Sequence, residues 1–325
     1  MVTLNAKQIR VLGRAVLAVA SALALVPVAS QAQRSTATNP LGGSRLYVDP
    51  NSPARRSAEQ LRRTRPADAA ALERIASQPT AKWMGDWNSN IRRDVQAAVA
   101  AVSRAGALPV FVAYNIPNRD CGSYSAGGQR SASGYKRWIR EFAEGLSGRK
   151  AVVILEPDAL AGADCLKPAQ RAERFALMRD AVQVLKAKNA VVYLDAGHAR
   201  WQRPEVIASR LSESAIDMAD GFALNISNYI TNPANIAYGE QVSRRVGGKH
   251  FIIDTSRNGI GSANGEWCNA QGALGRAPTT QTGHQLVDAF LWVKLPGESD
   301  GECGRGNPRA GQWWTEYAIG LARRG

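Results

Sequence analysis

The sequence predicts an α/β fold: a distorted (β/α) barrel resembling a TIM barrel, in a single domain. Three observations carry this expectation. Short apolar runs alternate with amphipathic stretches from Arg45 to the end of the chain, about seven of each. The run Val152–Leu155 (VVIL) is apolar and mostly β-branched, as a strand covered on both faces must be. No G-x-G-x-x-G follows the first run, which argues against a dinucleotide fold and leaves an open doubly wound sheet as second choice.

Taken in order, the first strand is expected at RLYV (45–48). An amphipathic helix over 57–76 and another over 90–105 come next. LPVFVAY (108–114) is a strand rich in β-branched and aromatic residues, followed by a helix over 134–147. AVVIL (151–155), a helix over 168–188, AVVYL (190–194) and a helix over 204–215 continue the alternation. GFALN (221–225), a helix over 233–246, HFIID (250–254), DAFLWVK (288–294) and a last helix over 313–323 complete it. No internal repeat and no long Pro/Ser/Thr linker divides the chain, so 45–325 is read as one domain.

The start is read differently. Lys7, Arg10 and Arg14 precede the apolar stretch AVLAVASALALVPVA, and Ser30-Gln31-Ala32 offers small residues to a signal peptidase. Residues 1–32 are therefore expected to be a secretory signal, too short for a spanning helix, and 33–44 a flexible lead-in. No other segment is apolar enough to cross a membrane, so the mature protein is expected to be secreted, or periplasmic in transit. The formal charge of +14 invites a nucleic-acid reading. The positive residues are scattered along helices (Arg62, Arg63, Arg171, Arg174, Arg244, Arg245) without an aromatic-rich binding motif, which argues against it. Cys121, Cys165, Cys268 and Cys303 form an even set in an exported chain, so two disulfides are expected. Three pairings are open, of which Cys121–Cys165 with Cys268–Cys303 is the most local. Zinc is the competing use, but there is no C-x-x-C and only three His, so no metal is expected.

Carboxylates gather where the strands end. VVIL runs into Glu156-Pro157-Asp158, VVYL into Asp195 and FII into Asp254. FVAY leads to Asp120, and FLWVK to Glu298 and Asp300. In a parallel β/α fold the carboxyl ends share one rim, so acids distant in sequence meet in one cleft. A single such Asp is commonly a helix cap; five are hard to explain that way. Crowded carboxylates repel and raise one another's pKa, which suits a general acid at neutral pH. A hard cation is the alternative, but no D-x-D-x-D-G loop is present. Tryptophans beside these loops (Trp83, Trp87, Trp201, Trp267) are suited to stacking on sugar rings; Trp292, inside a strand, is expected in the core.

These residues carry a resemblance. LYVDP (46–50), YNIPNRDCGSYSAGG (114–128), VVILEPDAL (152–160), YLDAGHARW (193–201), GFALNISNY (221–229), IIDTSRNG (252–259), EWCN (266–269) and DAFLWVKLPGESDG (288–301) run in order through the chain. Together they resemble glycoside hydrolase family 6, cellulases that cleave β-1,4-glucan with inversion. The resemblance implies a distorted β/α barrel and roles for particular residues. Asp158 would be the catalytic acid, Asp120 an acid that tunes it and helps a water chain, Asp300 the base, and Asp195 a further carboxylate. Tyr114 would press on a distorted sugar, and Trp83, His198, Trp201, Asn225, Trp267, Lys294 and Glu298 would bind sugar. It also implies the pairing Cys121–Cys165 and Cys268–Cys303, no cofactor, and a monomer acting on polysaccharide. Inversion needs an acid and a water-activating base about 6.5–9.5 Å apart, a gap that different strand ends supply naturally. Glu156, two residues before Asp158 and nearer the strand, is expected to be a structural hydrogen-bonding acid.

The chain departs from the family pattern in places. Ala126 stands where relatives carry Ser, with Ser125 beside it as a substitute. Gln202-Arg203-Pro204 follows Trp201 where cellobiohydrolases have a second Trp, and the Cys268–Cys303 segment is short. An open cleft and endo action on β-1,4-glucan are therefore expected. The alternatives are a cellobiohydrolase, a related enzyme acting on mixed-linkage β-glucan or xylan, and a non-catalytic glycan-binding protein on the same scaffold.

Overall fold

The computed structural model describes residues 38–325; the expected export signal lies outside them. Seven strands form one parallel sheet: β1 Lys82–Met84, β2 Val110–Ala113, β3 Ala151–Leu155, β4 Ala190–Asp195, β5 Gly221–Leu224, β6 His250–Asp254 and β7 Val287–Leu291. Their order in the sheet is their order in the chain, the winding of a barrel; a doubly wound sheet would reverse direction partway. The sheet curls far enough to bring the residues flanking its edge strands together, the Ala81 N–H donating to the Trp292 carbonyl at 3.0 Å, although β1 and β7 themselves do not pair. Among the described residues eight α-helices surround it: α1 Pro53–Leu61, α2 Pro66–Ala76, α3 Ile91–Arg104, α4 Ala132–Gly145, α5 Pro168–Lys186, α6 Pro204–Glu213, α7 Asn232–Arg245 and α8 Thr315–Arg324. None of them is long and apolar enough to cross a membrane.

The two-residue period of each strand sorts its side chains between two cores. Val112, Ile154, Tyr193, Ile252 and Leu291 fill the barrel. Phe111, Val153, Val192, Phe222, Phe251 and Phe290 face the helices. Register aligns Val112 with Ile154 and Ile154 with Tyr193, so the interior packs in layers. Tyr193 then lies opposite Gly221. A Cβ at Gly221 would sit 2.2 Å from the His250 carbonyl and 3.0 Å from the Tyr193 ring, so only glycine fits there.

Four expectations are corrected. RLYV makes only an isolated parallel bridge, Leu46 to Leu108, because a turn at Asp49–Asn51 diverts the chain into α1. The first strand is instead β1, a three-residue piece starting at an exposed lysine and too short to show a pattern. The helix over 57–76 is two helices: Pro66 excludes Arg65 from helical geometry (φ −139°, ψ 65°) and breaks the chain there. The end of the lead-in is packed. Leu41 is fully buried against the barrel core, and the Asn39 amide donates to the carbonyls of Asp288 (2.7 Å) and Thr280 (3.2 Å).

Two disulfides, Cys121–Cys165 and Cys268–Cys303, each tie a pair of loops at the carboxyl end of the barrel. They close segments of 44 and 35 residues. Replacing either pair by serines is expected to cost about 2–4 kcal/mol, through greater freedom of the unfolded chain. A lower urea midpoint would show this; an unmoved midpoint would refute it.

Candidate active site

The site is built on the loops that leave β2, β3, β4, β6 and β7. After β3 the chain turns through Glu156 (φ 50°) and Asp158 (φ 69°), both in the left-handed region at a cost of about 1–3 kcal/mol each. Glu156 compensates from full burial. Its Oε2 accepts the N–H groups of Asn115 (2.8 Å) and Ile116 (3.0 Å), fastening the loop after β2 to the end of β3. Burial pushes its pKa to about 7. Glu156 thus has the structural role the sequence predicts for it.

Asp158 opens into the cleft. Its N–H donates to Asp195 Oδ2 (2.9 Å), which also accepts the Gly197 N–H (3.1 Å). Asp195 lies behind it, almost wholly buried, and its Oδ1 has no partner among the described residues. Burial raises Asp195 to about 7. Burial also raises Asp158 well above the carboxylate range, and the charges of Asp195, Asp120 and Asp300 push the same way. Burial and like charges therefore both favour the protonated form of Asp158. Asp120, half-buried at φ 51°, accepts the Ser125 N–H at 2.7 Å, and burial raises it too. The nearly buried Tyr114 is held protonated first by burial and then by the charges of Asp158 and Asp120.

Asp300 has a different environment. Its Oδ2 accepts from Arg257 Nη1 (2.9 Å), the Asn269 N–H (2.9 Å) and the Tyr229 hydroxyl (3.3 Å). Lys294 Nζ stands 3.7 Å from Oδ1 and 3.9 Å from Glu298. Arg257 is fully buried, 4.4 Å above the Tyr229 ring, and also donates to the Ser227 carbonyl. Beneath them Asp254 accepts the backbone N–H groups of Ser227, Ser256, Val293 and Lys294, joining the ends of β5, β6 and β7.

A cleft of about 1430 Å³ runs over these groups. Asp120, Asp158, Asp300, Tyr114, Trp83, His198, Trp201, Trp267, Lys294 and Glu298 line it, all residues the sequence analysis singled out. Trp267 is 49% exposed and Trp201 40%, so their rings are free to stack on a ligand. Trp83 is partly anchored, its indole N–H donating to the Val293 carbonyl at 2.8 Å and its ring edge-on to Tyr114. Trp292 is in the core, as expected. Asn225 is a correction: it is fully buried, its amide donating to the carbonyls of Asp254 and Asn228 and its Oδ1 accepting the Ile230 N–H, so it braces the loop and does not reach the cleft. Sequence reasoning missed Arg257, Tyr229 and Asn269. Arg257 and Tyr229 stand in the quoted segments IIDTSRNG and GFALNISNY, but nothing in one dimension pairs them with Asp300. Among the described residues no three His, Cys, Asp or Glu side chains come together as a metal-binding group.

The raised carboxyl groups set the direction of pH-dependent stability. Glu156 and Asp195 move from ordinary values of 4.5 and 3.8 to about 7. Between about pH 4 and 7 the folded protein therefore holds protons that the unfolded chain has released, and stability falls as pH rises. Asp158, Asp254 and Asp120 act in the same direction. His198, which burial lowers to about 4, acts in the other below 6.5, but it is one group against several. The expected calorimetric result is a higher Tm near pH 5 than at pH 8; the reverse order would contradict it.

The family model for glycosyl hydrolases family 6 matches residues 41–325. Endoglucanase A of Cellulomonas fimi is 47% identical over 284 residues, which is 86% of this chain and 61% of that protein. Endoglucanase 1 of Streptomyces halstedii is 43% identical over 325 residues, covering 96% of this chain and 98% of that one. Among solved structures, the endoglucanase Cel6 of Mycobacterium tuberculosis, in complex with methyl-cellobiosyl-4-deoxy-4-thio-β-D-cellobioside, superposes with a TM-score of 0.84 at 46% identity, covering 88% of this chain and 99% of that one.

Proposed function

Because the chain belongs to glycosyl hydrolase family 6, we propose that it is a secreted endo-β-1,4-glucanase that hydrolyses cellulose and related β-glucans with inversion at the anomeric carbon. One observation carries the reading: Asp158 lies with Asp120 and Asp300 on the floor of a cleft with exposed tryptophans, where burial and three neighbouring carboxylates favour its protonated form. Asp158 donates its proton to the glycosidic oxygen as the bond breaks. Water enters from the opposite face of the sugar, and its proton leaves towards Asp300, with Asp120 holding the water chain and keeping Asp158 basic enough to retain its proton. Asp195 adds to the same field and supports the turn at Asp158 through its bond to the backbone. Tyr114 presses on the ring of the distorted sugar; Trp83, Trp201, Trp267, His198, Lys294 and Glu298 hold the chain on either side. The side chains supply all of this chemistry, with no cofactor or metal, and the protein works as an exported monomer.

The names of the relatives and the short Cys268–Cys303 segment support endo action. On carboxymethylcellulose the expected result is rapid loss of viscosity with few new reducing ends. Release of cellobiose without loss of viscosity would identify a cellobiohydrolase, and binding without hydrolysis a lectin-like protein. Proton NMR of the first product is expected to show the α anomer; the β anomer would exclude inversion.

A further inference from the structure

The loop that carries Asp120 is folded around a single guanidinium. Arg119 Nε donates to the Ser125 carbonyl (2.8 Å), Nη1 to the Tyr114 carbonyl (2.9 Å) and Nη2 to the Ala126 carbonyl (3.2 Å). Nη1 also donates to Asp86 Oδ1 at 3.0 Å. The guanidinium lies 4.7 Å from the Tyr114 ring centre and 5.4 Å from that of Trp87, and Arg119 is only 6% exposed. Asp86 stands just beyond β1, the strand the sequence did not reveal, and its Oδ2 accepts the Gly128 N–H at 3.1 Å. The loop leaves no spare room around this pair. A Cβ at Gly127 (φ 148°) would lie 2.3 Å from Arg119 Nη2 and 2.7 Å from Asp86.

We propose that Arg119 and Asp86 form a positioning clamp, which holds residues 119–128 closed so that Asp120 and Tyr114 stay beside Asp158. Neither residue performs chemistry. Arg119 is the internal strut of the loop, and Asp86 anchors it to the end of β1 and balances its charge. The balance matters because Arg119 sits among groups that must stay protonated or negative: Tyr114, Asp120 and Glu156 all feel its charge. The proposal rests on the reading of Asp120 given above.

The test uses the full-length protein, soluble β-glucan and the variants Arg119→Lys, Asp86→Asn, Asp120→Asn and Arg119→Lys/Asp120→Asn. Lysine keeps the charge and loses the fork that reaches three carbonyls. Arg119→Lys is expected to lower kcat about 100-fold, the scale of a small misplacement in an active site, with KM little changed. The alkaline limb of its pH–rate profile is expected to move to lower pH, because Asp158 is faced by Asp195, Asp120, Asp300 and Tyr114 and a displaced Asp120 repels its charge less. Asp86→Asn, half-exposed and isosteric, is expected to shift that limb in the same direction without loss of folding. With Asp120 already replaced, Arg119→Lys can act only through Tyr114, so the loss in the double variant should fall well short of the product of the two single losses. Multiplying losses, or an unmoved alkaline limb in both Arg119→Lys and Asp86→Asn, would overturn the clamp. Wild-type rates in Arg119→Lys sink the clamp and leave Asp120 in its role. Wild-type rates in Asp120→Asn sink that role, and with it the object of the clamp.

Discussion

Asp158→Asn is expected to lower kcat on unactivated β-glucan by about 10²–10⁴-fold, with little change in KM. The amide keeps the size of the carboxyl group but has no proton to give when the glycosidic oxygen becomes a leaving group. The site holds that proton in place by several means at once: burial, and the negative charges of Asp195, Asp120 and Asp300. The left-handed turn at Asp158, tied by its N–H to Asp195, aims the side chain into the cleft. An aryl cello-oligosaccharide with a strongly acidic phenol needs no proton at its leaving group, so the variant is expected to retain most of its activity there. Equal losses on both substrates would mean that Asp158 contributes position or binding and not a proton. In the wild type the same field places the alkaline limb of the pH–rate profile above the range of an ordinary carboxylic acid.

Arg257→Met is expected to destabilise the fold by about 3–5 kcal/mol, read from a urea midpoint. The guanidinium is fully buried and bonded to a carboxylate that is 8% exposed. Removing it leaves Asp300 with its two neutral donors, Asn269 and Tyr229, and with Lys294 at 3.7 Å. Those contacts do not replace a bonded charge in so dry a place. Arg257→Met/Asp300→Asn, which removes both charges, is expected to recover part of the stability while remaining inactive. A single variant as stable as the wild type would show that Lys294 alone satisfies Asp300. Recovery in the double variant separates the energetic cost of an unpaired charge from any loss of packing on Tyr229.

The long strands were readable because each is an apolar run that has to be covered on both faces; β2 to β7 fall where the pattern places them. β1 was not, because three residues beginning with an exposed lysine carry no pattern, and Lys82–Met84 is a strand only through its pairing with β2. Asp86 was missed for the same reason: an acid is recognised as a strand-end acid only once the strand is known. The break at Arg65-Pro66 is set by the proline, which the single helix expected over 57–76 leaves out of account. Asn225 illustrates the opposite error. The resemblance implies a sugar-binding role for it, yet its amide is consumed by loop carbonyls and a backbone N–H.

Local chemistry was therefore enough to specify strands β2 to β7 and the acids at their ends. Apolar runs and charged side chains keep their character wherever the chain takes them. Only the folded molecule decided which charges meet. Asp300 lies 43 residues from Arg257, and Arg119 lies 33 from Asp86. Such pairs form because sequential parallel strands deliver their loops to one rim. Coulomb energy and desolvation depend on distance and burial in space, and neither is a property of position along the chain.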